Sequence, residues 1–181
     1  MGALAAAPRE GPALVVLPGT HSKWAIVEDG RILWFATFMT GELFALLKSH
    51  SILGRLIVGE ADDRASFRRG LALALEGRGA AGGLLHRLFS ARSLALFDEL
   101  KAAGVASYLS GLLIGSELEG ALGLVEARLG WAPERVTLIA EPALGALYAA
   151  ALAARAIAAE VAPADAAARG LLAIARAAGL L

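Results

Sequence analysis

The segment Leu17-Pro18-Gly19-Thr20-His21-Ser22-Lys23-Trp24 gathers a glycine, two hydroxyls, an imidazole and an ammonium within five consecutive positions. It reads as a tight turn between two strands. Gly19 permits unusual backbone angles and the close approach of another group. Successive backbone N–H groups in such a turn can form a concave anion nest. Thr20 and Ser22 add hydroxyls, and Lys23 adds a point charge suited to phosphate. The GxxxxGK[ST] pattern is missing and no helix follows directly, so this is not a P-loop. Spacing alone leaves two readings open, a phosphate-binding turn and an ordinary polar hairpin.

Other candidates are weaker. Thr40-Gly41-Glu42 sits where a strand hands over to a helix; it suits an anionic group or a substrate hydroxyl, and equally an N-cap at Thr40. Ser110, Gly111, Gly115 and Glu117 fall in an apolar helix, where glycines four apart admit either a packed helix or a flat ligand. Glu117 and Glu119 are two apart and point to different helix faces, so they are no catalytic pair. His21, His50 and His86 lack metal-ligand spacing. His50 suits a helix end and His86 a solvated helix face. Asp62-Asp63 reads as a helix start or loop, with metal contact as the alternative. With no cysteine and no GxSxG, there is no thiol or nucleophile-elbow chemistry.

The elements that must position these groups are legible. Leu14–Leu17, Trp24–Glu28 and Arg31–Phe38 are strand-like, and Asp29-Gly30 is a hairpin turn signal, so 14–38 reads as a three-stranded antiparallel meander. Helical patterns follow Thr40. Two or three helices span 60–104, with breaks at Gly77-Arg78-Gly79 and Gly82-Gly83. A long helix covers Ser107 to Leu129. Val136–Ile139 is a lone strand stopped by Glu141-Pro142. A helix then runs to about Ala159 and another from about Pro163 to Ala178. A meander followed by crossover helices and parallel strands is a mixed-sheet α/β arrangement.

Composition sets the outer limits. The 181 residues carry 17 basic and 17 acidic side chains, and this neutral balance disfavours an electrostatically driven nucleic-acid or membrane-surface binder. At 57% hydrophobic the chain is not disordered. A mean hydropathy of +0.63 raises the question of membrane spans. The longest uncharged stretches, Ala102–Ser116 and Pro142–Ala154, are too short and read as buried core helices. Met1–Pro12 lacks the pattern of a signal peptide, and a cytoplasmic setting is expected.

Four segments taken together resemble one family: LPGTHSKW (17–24), TFMTGELFALLKSHSILG (37–54), SYLSGLLIGSELEGA (107–121) and VTLIAEPALGALYAAAL (136–152). They resemble the 2-dehydro-3-deoxygalactonokinases, sugar-acid kinases of galactonate breakdown. That family is similar to the actin-like ATPase superfamily, whose members hold ATP in a cleft between two lobes. The resemblance implies that Gly19, Thr20, His21, Ser22 and Lys23 contact ATP phosphates. It implies that the turn carrying Ala140, Pro142 and Leu144 contacts adenosine, although this chain has Ala140 and Glu141 where a glycine is usual. Thr40, Gly41 and Glu42 would lie near the lobe interface and the sugar acid. The helix bearing Ser110, Gly111, Gly115 and Glu117 would back the nucleotide cleft.

The early DxGT-like turn of the family is missing; the only Asp-Gly, Asp29-Gly30, follows the PGTHSK turn. The expectation is therefore a loose lead-in (1–12) and a single nucleotide-side lobe (13–181) of actin-like ATPase (ribonuclease H-like) fold, with the catalytic base on a front lobe outside this chain. The implied reaction moves the ATP γ-phosphoryl, with Mg²⁺, to the 6-hydroxyl of 2-dehydro-3-deoxy-D-galactonate, in a truncated or split form. The alternative is a non-catalytic remnant lobe that self-associates or pairs with a separate front lobe.

Overall fold

A computed structural model describes residues 11–59, 62–76, 83–163 and 165–180. Residues 1–10 of the expected lead-in (1–12), and Gly77-Arg78-Gly79 and Gly82 of the expected breaks, lie outside the described residues. The chain divides into two compact units, one built from residues 1–38 and 125–181, the other from 39–124.

The first unit holds a five-stranded sheet of order β3-β2-β1-β4-β5, with β1 Ala13–Leu17, β2 Ser22–Glu28, β3 Arg31–Phe38, β4 Arg135–Leu138 and β5 Ala158–Val161. Strands β1, β2 and β3 form the expected antiparallel meander. The β2–β3 turn is built as the Asp-Gly signal requires, with Asp29 (φ 49°) and Gly30 (φ 72°) both left-handed. On one face of the sheet Leu14, Val16, Trp24, Ile26 and Leu138 are buried, and on the other Val15, Ala25 and Val27 cluster with Ile139. Strand β3 lies at the sheet edge and leaves Ile32, Leu33 and Phe35 exposed.

Strand β4 is not alone. It pairs in parallel with β1 and, through Arg135↔Ala158 to Leu138↔Val161, with β5. The helix expected to reach Ala159 ends earlier: α5 spans Pro142–Ala153, and Ala156 takes a left-handed φ of 57° that no α-helix can continue. The last helix, α6, spans Ala166–Ala177.

The second unit is helical: α1 Thr40–His50, α2 Arg64–Leu75, α3 Gly83–Leu96, and α4 Val105–Leu129, whose last turn belongs to the first unit. Its core gathers Leu53, Ala74, Leu88, Ala91, Leu109, Leu112 and Leu113. Among the described residues, 102–129 is the one stretch long and apolar enough to cross a membrane, and it is largely buried within the fold. Helices α2 and α4 meet backbone to backbone. A Cβ on Gly111 would strike the Phe67 carbonyl, and one on Gly70 would strike the Tyr108 carbonyl.

Asp63 is the helix start that the Asp62-Asp63 pair suggests. Its Oδ1 accepts from the backbone N–H groups of Ala65 and Ser66, both at 3.0 Å, and its Oδ2 accepts from the Ser66 hydroxyl at 2.7 Å. Its own N–H donates to Ser107 Oγ at 3.1 Å, tying the α2 cap to α4. The Ser66 N–H, then the Ser66 hydroxyl, hold the Asp63 carboxyl below the ordinary value. A depressed folded value stabilises the fold above the ordinary carboxylate range, and that stability is lost as pH falls through the folded value. Asp63→Asn is therefore expected to lower the thermal midpoint at neutral pH. It should also flatten the fall in midpoint below about pH 4. Parallel acid profiles for the two proteins would refute this role.

Candidate functional site

Parallel pairing of β1 with β4 decides where the candidate groups meet. Val16 lies opposite Leu138, and Ile139 N donates to Val16 O at 2.9 Å. The chain leaving β1 at Leu17 and the chain leaving β4 at Leu138 therefore emerge side by side, about 4.8 Å apart. The first becomes the Pro18–His21 turn. The second becomes Ile139-Ala140-Glu141 and then α5. Strand β5 ends here too, with Ala162 N bonded to Leu138 O at 2.8 Å. Carboxyl ends of parallel strands are where open α/β sheets place their ligands.

Thr20, His21 and Lys23 are exposed in the turn, and Lys23 Nζ donates to His21 O at 2.9 Å, folding the ammonium over the turn backbone. Ser22 is fully buried at the start of β2, so of the two hydroxyls only Thr20 faces solvent. Gly19 has an ordinary backbone conformation, and a Cβ there would meet nothing within 4 Å. The unusual backbone angle expected at Gly19 is thus not used. What the glycine leaves is open room above the turn.

On the neighbouring strand exit, Pro142 occupies the first turn of α5 and needs no N–H partner. The first helical bond runs from Gly145 N to Glu141 O at 2.8 Å, and Glu141 makes no side-chain cap. The N–H groups of Ala143 and Leu144 thus belong to the orphan first turn, at the positive end of a twelve-residue helix. A lysine, a hydroxyl turn and a helix N-terminus share one end of one sheet, a donor set matched to an oxyanion.

The other candidates belong to the second unit. Thr40 is the first residue of α1 and not its cap: Met39 holds the cap position, without a side-chain bond, and its carbonyl accepts from Leu43 N at 2.8 Å. Thr40, Gly41 and Glu42 are half-buried. Gly111 and Gly115 are buried with their open faces filled by α2, as the packing reading of the glycine spacing requires. Glu117 is buried at 3% exposure and Ser110 is half-buried. Among the described residues no group of three or more His, Asp or Glu could hold a metal ion. Residue patterning missed the placement of the α5 N-terminus beside the hairpin, which depends on pairing between strands about 120 residues apart.

A meander continued by parallel β4 and β5, in the order β3-β2-β1-β4-β5, is the lobe architecture of the actin-like ATPase (ribonuclease H-like) class. The profile of the 2-keto-3-deoxy-galactonokinase family matches residues 1–174, and the chain belongs to that family. It is 41% identical over 175 residues to a Rhizobium meliloti (strain 1021) protein provisionally named 2-dehydro-3-deoxygalactonokinase DgoK1, covering 92% of this chain and 53% of the relative. It is 34% identical over 148 residues to the Escherichia coli K12 2-dehydro-3-deoxygalactonokinase, covering 82% of this chain and 47% of the relative. A crystal structure of a candidate 2-dehydro-3-deoxygalactonokinase from Sinorhizobium meliloti superposes with a TM-score of 0.85 at 37% identity, over 99% of this chain and 58% of that one. The chain thus spans about half the length of the relatives it matches.

Proposed function

We propose that this chain is the nucleotide-side lobe of a sugar-acid kinase that transfers the ATP γ-phosphoryl to the 6-hydroxyl of 2-dehydro-3-deoxy-D-galactonate in the cytoplasm. The observation that carries this reading is the adjacency of the Pro18–His21 turn and the α5 N-terminus at the carboxyl ends of β1 and β4. In this reading Gly19, Thr20, His21 and Lys23 face the ATP phosphates and Ser22 supports them from below. Ala140, Pro142 and Leu144 meet the adenosine. Thr40, Gly41 and Glu42 serve the sugar acid. Phosphoryl transfer asks a protein mainly for positioning and charge stabilisation, which this donor set offers at the phosphates. Mg²⁺ would arrive with the nucleotide, and no ligand in this chain is assigned to it. The base that takes the proton from the attacking hydroxyl would come from a front lobe.

The second reading is a non-catalytic lobe that folds and self-associates or pairs with a separate front lobe. Both are tested by titrating ATP into the 181-residue chain and assaying sugar-acid phosphorylation, with and without the front half of a relative added in trans. The kinase reading expects saturable ATP binding by the chain alone and turnover only in the mixture. ATP binding without turnover in either case supports the second reading, and no ATP binding overturns the nucleotide assignment.

A further inference from the structure

Strand β3 is an edge of the sheet. An edge presents a row of N–H and C=O groups with no neighbouring strand, and such edges are usually blunted by charge, proline or a bulge. In β3 the register slips, so that Trp34 faces Ile26, Ile32 faces Val27, and Leu33 is the extra residue of a bulge. The bulge leaves Arg31, the sole charge of the strand, outside the regular stretch. That stretch, Trp34–Phe38, has no charge, no proline and no glycine, and its outward backbone groups have no partner among the described residues. Phe35 stands opposite Ala25, and Ala25 opposite Val15, so an apolar row crosses three strands and ends at a phenylalanine 64% exposed. Ile32 lies on the same face, opposite Val27, and is 67% exposed.

One exposed apolar side chain is ordinary, but an uncharged strand edge that carries two calls for a cover. Another strand is the cover that fits, because it alone meets alternate N–H and C=O groups along the whole edge. We propose that the cover is a second copy of this chain, with Trp34–Phe38 of the two copies antiparallel about a two-fold axis at Ala36. The segment is complementary to itself in this register. Trp34 of each copy falls opposite Phe38 of the other, Phe35 opposite Thr37, and Ala36 opposite Ala36. Aromatic and β-branched pairs of this kind stabilise antiparallel neighbours. The charges agree as well. Antiparallel pairing sets the two Arg31 residues about 33 Å apart, at opposite ends of the ribbon, whereas parallel pairing would place them side by side. The chain as a whole has no net charge, so two copies meet without long-range repulsion. The paired stretch is far smaller than the roughly 20–30 residues a side of a stable interface, so the dimer is a weak one, of micromolar Kd. The inference names a surface for self-association and does not rest on the absence of turnover.

The test is sedimentation equilibrium of the 181-residue chain from about 1 µM to 1 mM, with amide hydrogen exchange at both extremes. A monomer–dimer equilibrium is expected, with exchange slowed at high concentration within Trp34–Phe38. Phe35→Lys should weaken dimerisation about tenfold or more, because it sets an ammonium in the seam. Thr37→Glu should do the same from the facing position. Within its own sheet the new carboxylate lies opposite Lys23, so this variant is expected to fold even where Phe35→Lys does not. Adding the front half of a relative should leave the dimer in place. A monomer at every concentration, a dimer unchanged in a folded variant, or protection only outside 34–38 overturns the proposal. So does displacement of the second copy by the front half. ATP binding is read separately, so failure here leaves the nucleotide assignment standing.

Discussion

Replacing Lys23 by alanine is expected to weaken ATP binding to this chain by about ten- to a hundred-fold. A hydrogen bond to a charged group contributes about 1.5–3 kcal/mol, and each 1.4 kcal/mol is a factor of ten. The side chain is exposed at the start of β2 and its recorded bond is to the neighbouring His21 carbonyl, so the fold has little to lose. Surface changes of this kind usually alter stability by no more than about 0.5 kcal/mol. Affinity should therefore fall while the thermal midpoint stays, and Lys23→Arg should restore part of the binding. Isothermal titration of both variants with ATP, beside a melting curve, makes the distinction. Equal affinity in wild type and Lys23→Ala would reduce the Pro18–His21 turn to a polar hairpin.

Gly111→Ala is expected to be the more damaging change to the fold. In an exposed helix this substitution would stabilise by about 1 kcal/mol. Here the new methyl meets the Phe67 carbonyl and the Leu71 amide of α2, and backbone atoms cannot rotate away as a flexible side chain can. Overpacking a core costs about 1–3 kcal/mol and more where nothing gives way. The net loss should be about 2 kcal/mol, a fall of about 4–8 °C in thermal midpoint for a chain of this size. Gly70→Ala attacks the same contact from the other helix, against the Tyr108 carbonyl, and should behave alike. Combining the two should cost less than their sum, because separating the helices once relieves both clashes. A midpoint unchanged in either single variant would mean that α2 and α4 do not meet backbone to backbone.

Much of this architecture is written locally. The meander follows from three β-rich runs and one Asp-Gly turn, and all three strands form where those runs lie. The glycine spacing in α4 states that something packs there but not what, since Phe67 and Gly70 come from a different helix. Strand β5 escapes a local reading because Ala158-Ala159-Glu160-Val161 has little strand character of its own; pairing along β4 makes it a strand. Thr40 shows the same limit at a boundary, where the backbone turns into helix one residue earlier than its hydroxyl would suggest. The candidate site divides likewise. The residue types of the 17–24 turn announce anion chemistry, whereas its neighbour across the sheet end is set by strand order.

The pairing of β1 with β4 also has a temporal consequence. Val15 and Thr137 are about 120 residues apart in the chain, and joining them closes a loop whose entropic cost is about 4 kcal/mol. The meander can form soon after residue 38 leaves the ribosome, but the end of the sheet where the two strand exits meet cannot exist until β4 has been made. The hairpin half of that site is thus an early local structure, and the helix half is a late long-range one. A ligand gripping both halves is expected to slow unfolding without hastening folding, because it finds its partners only after the slow closure is complete.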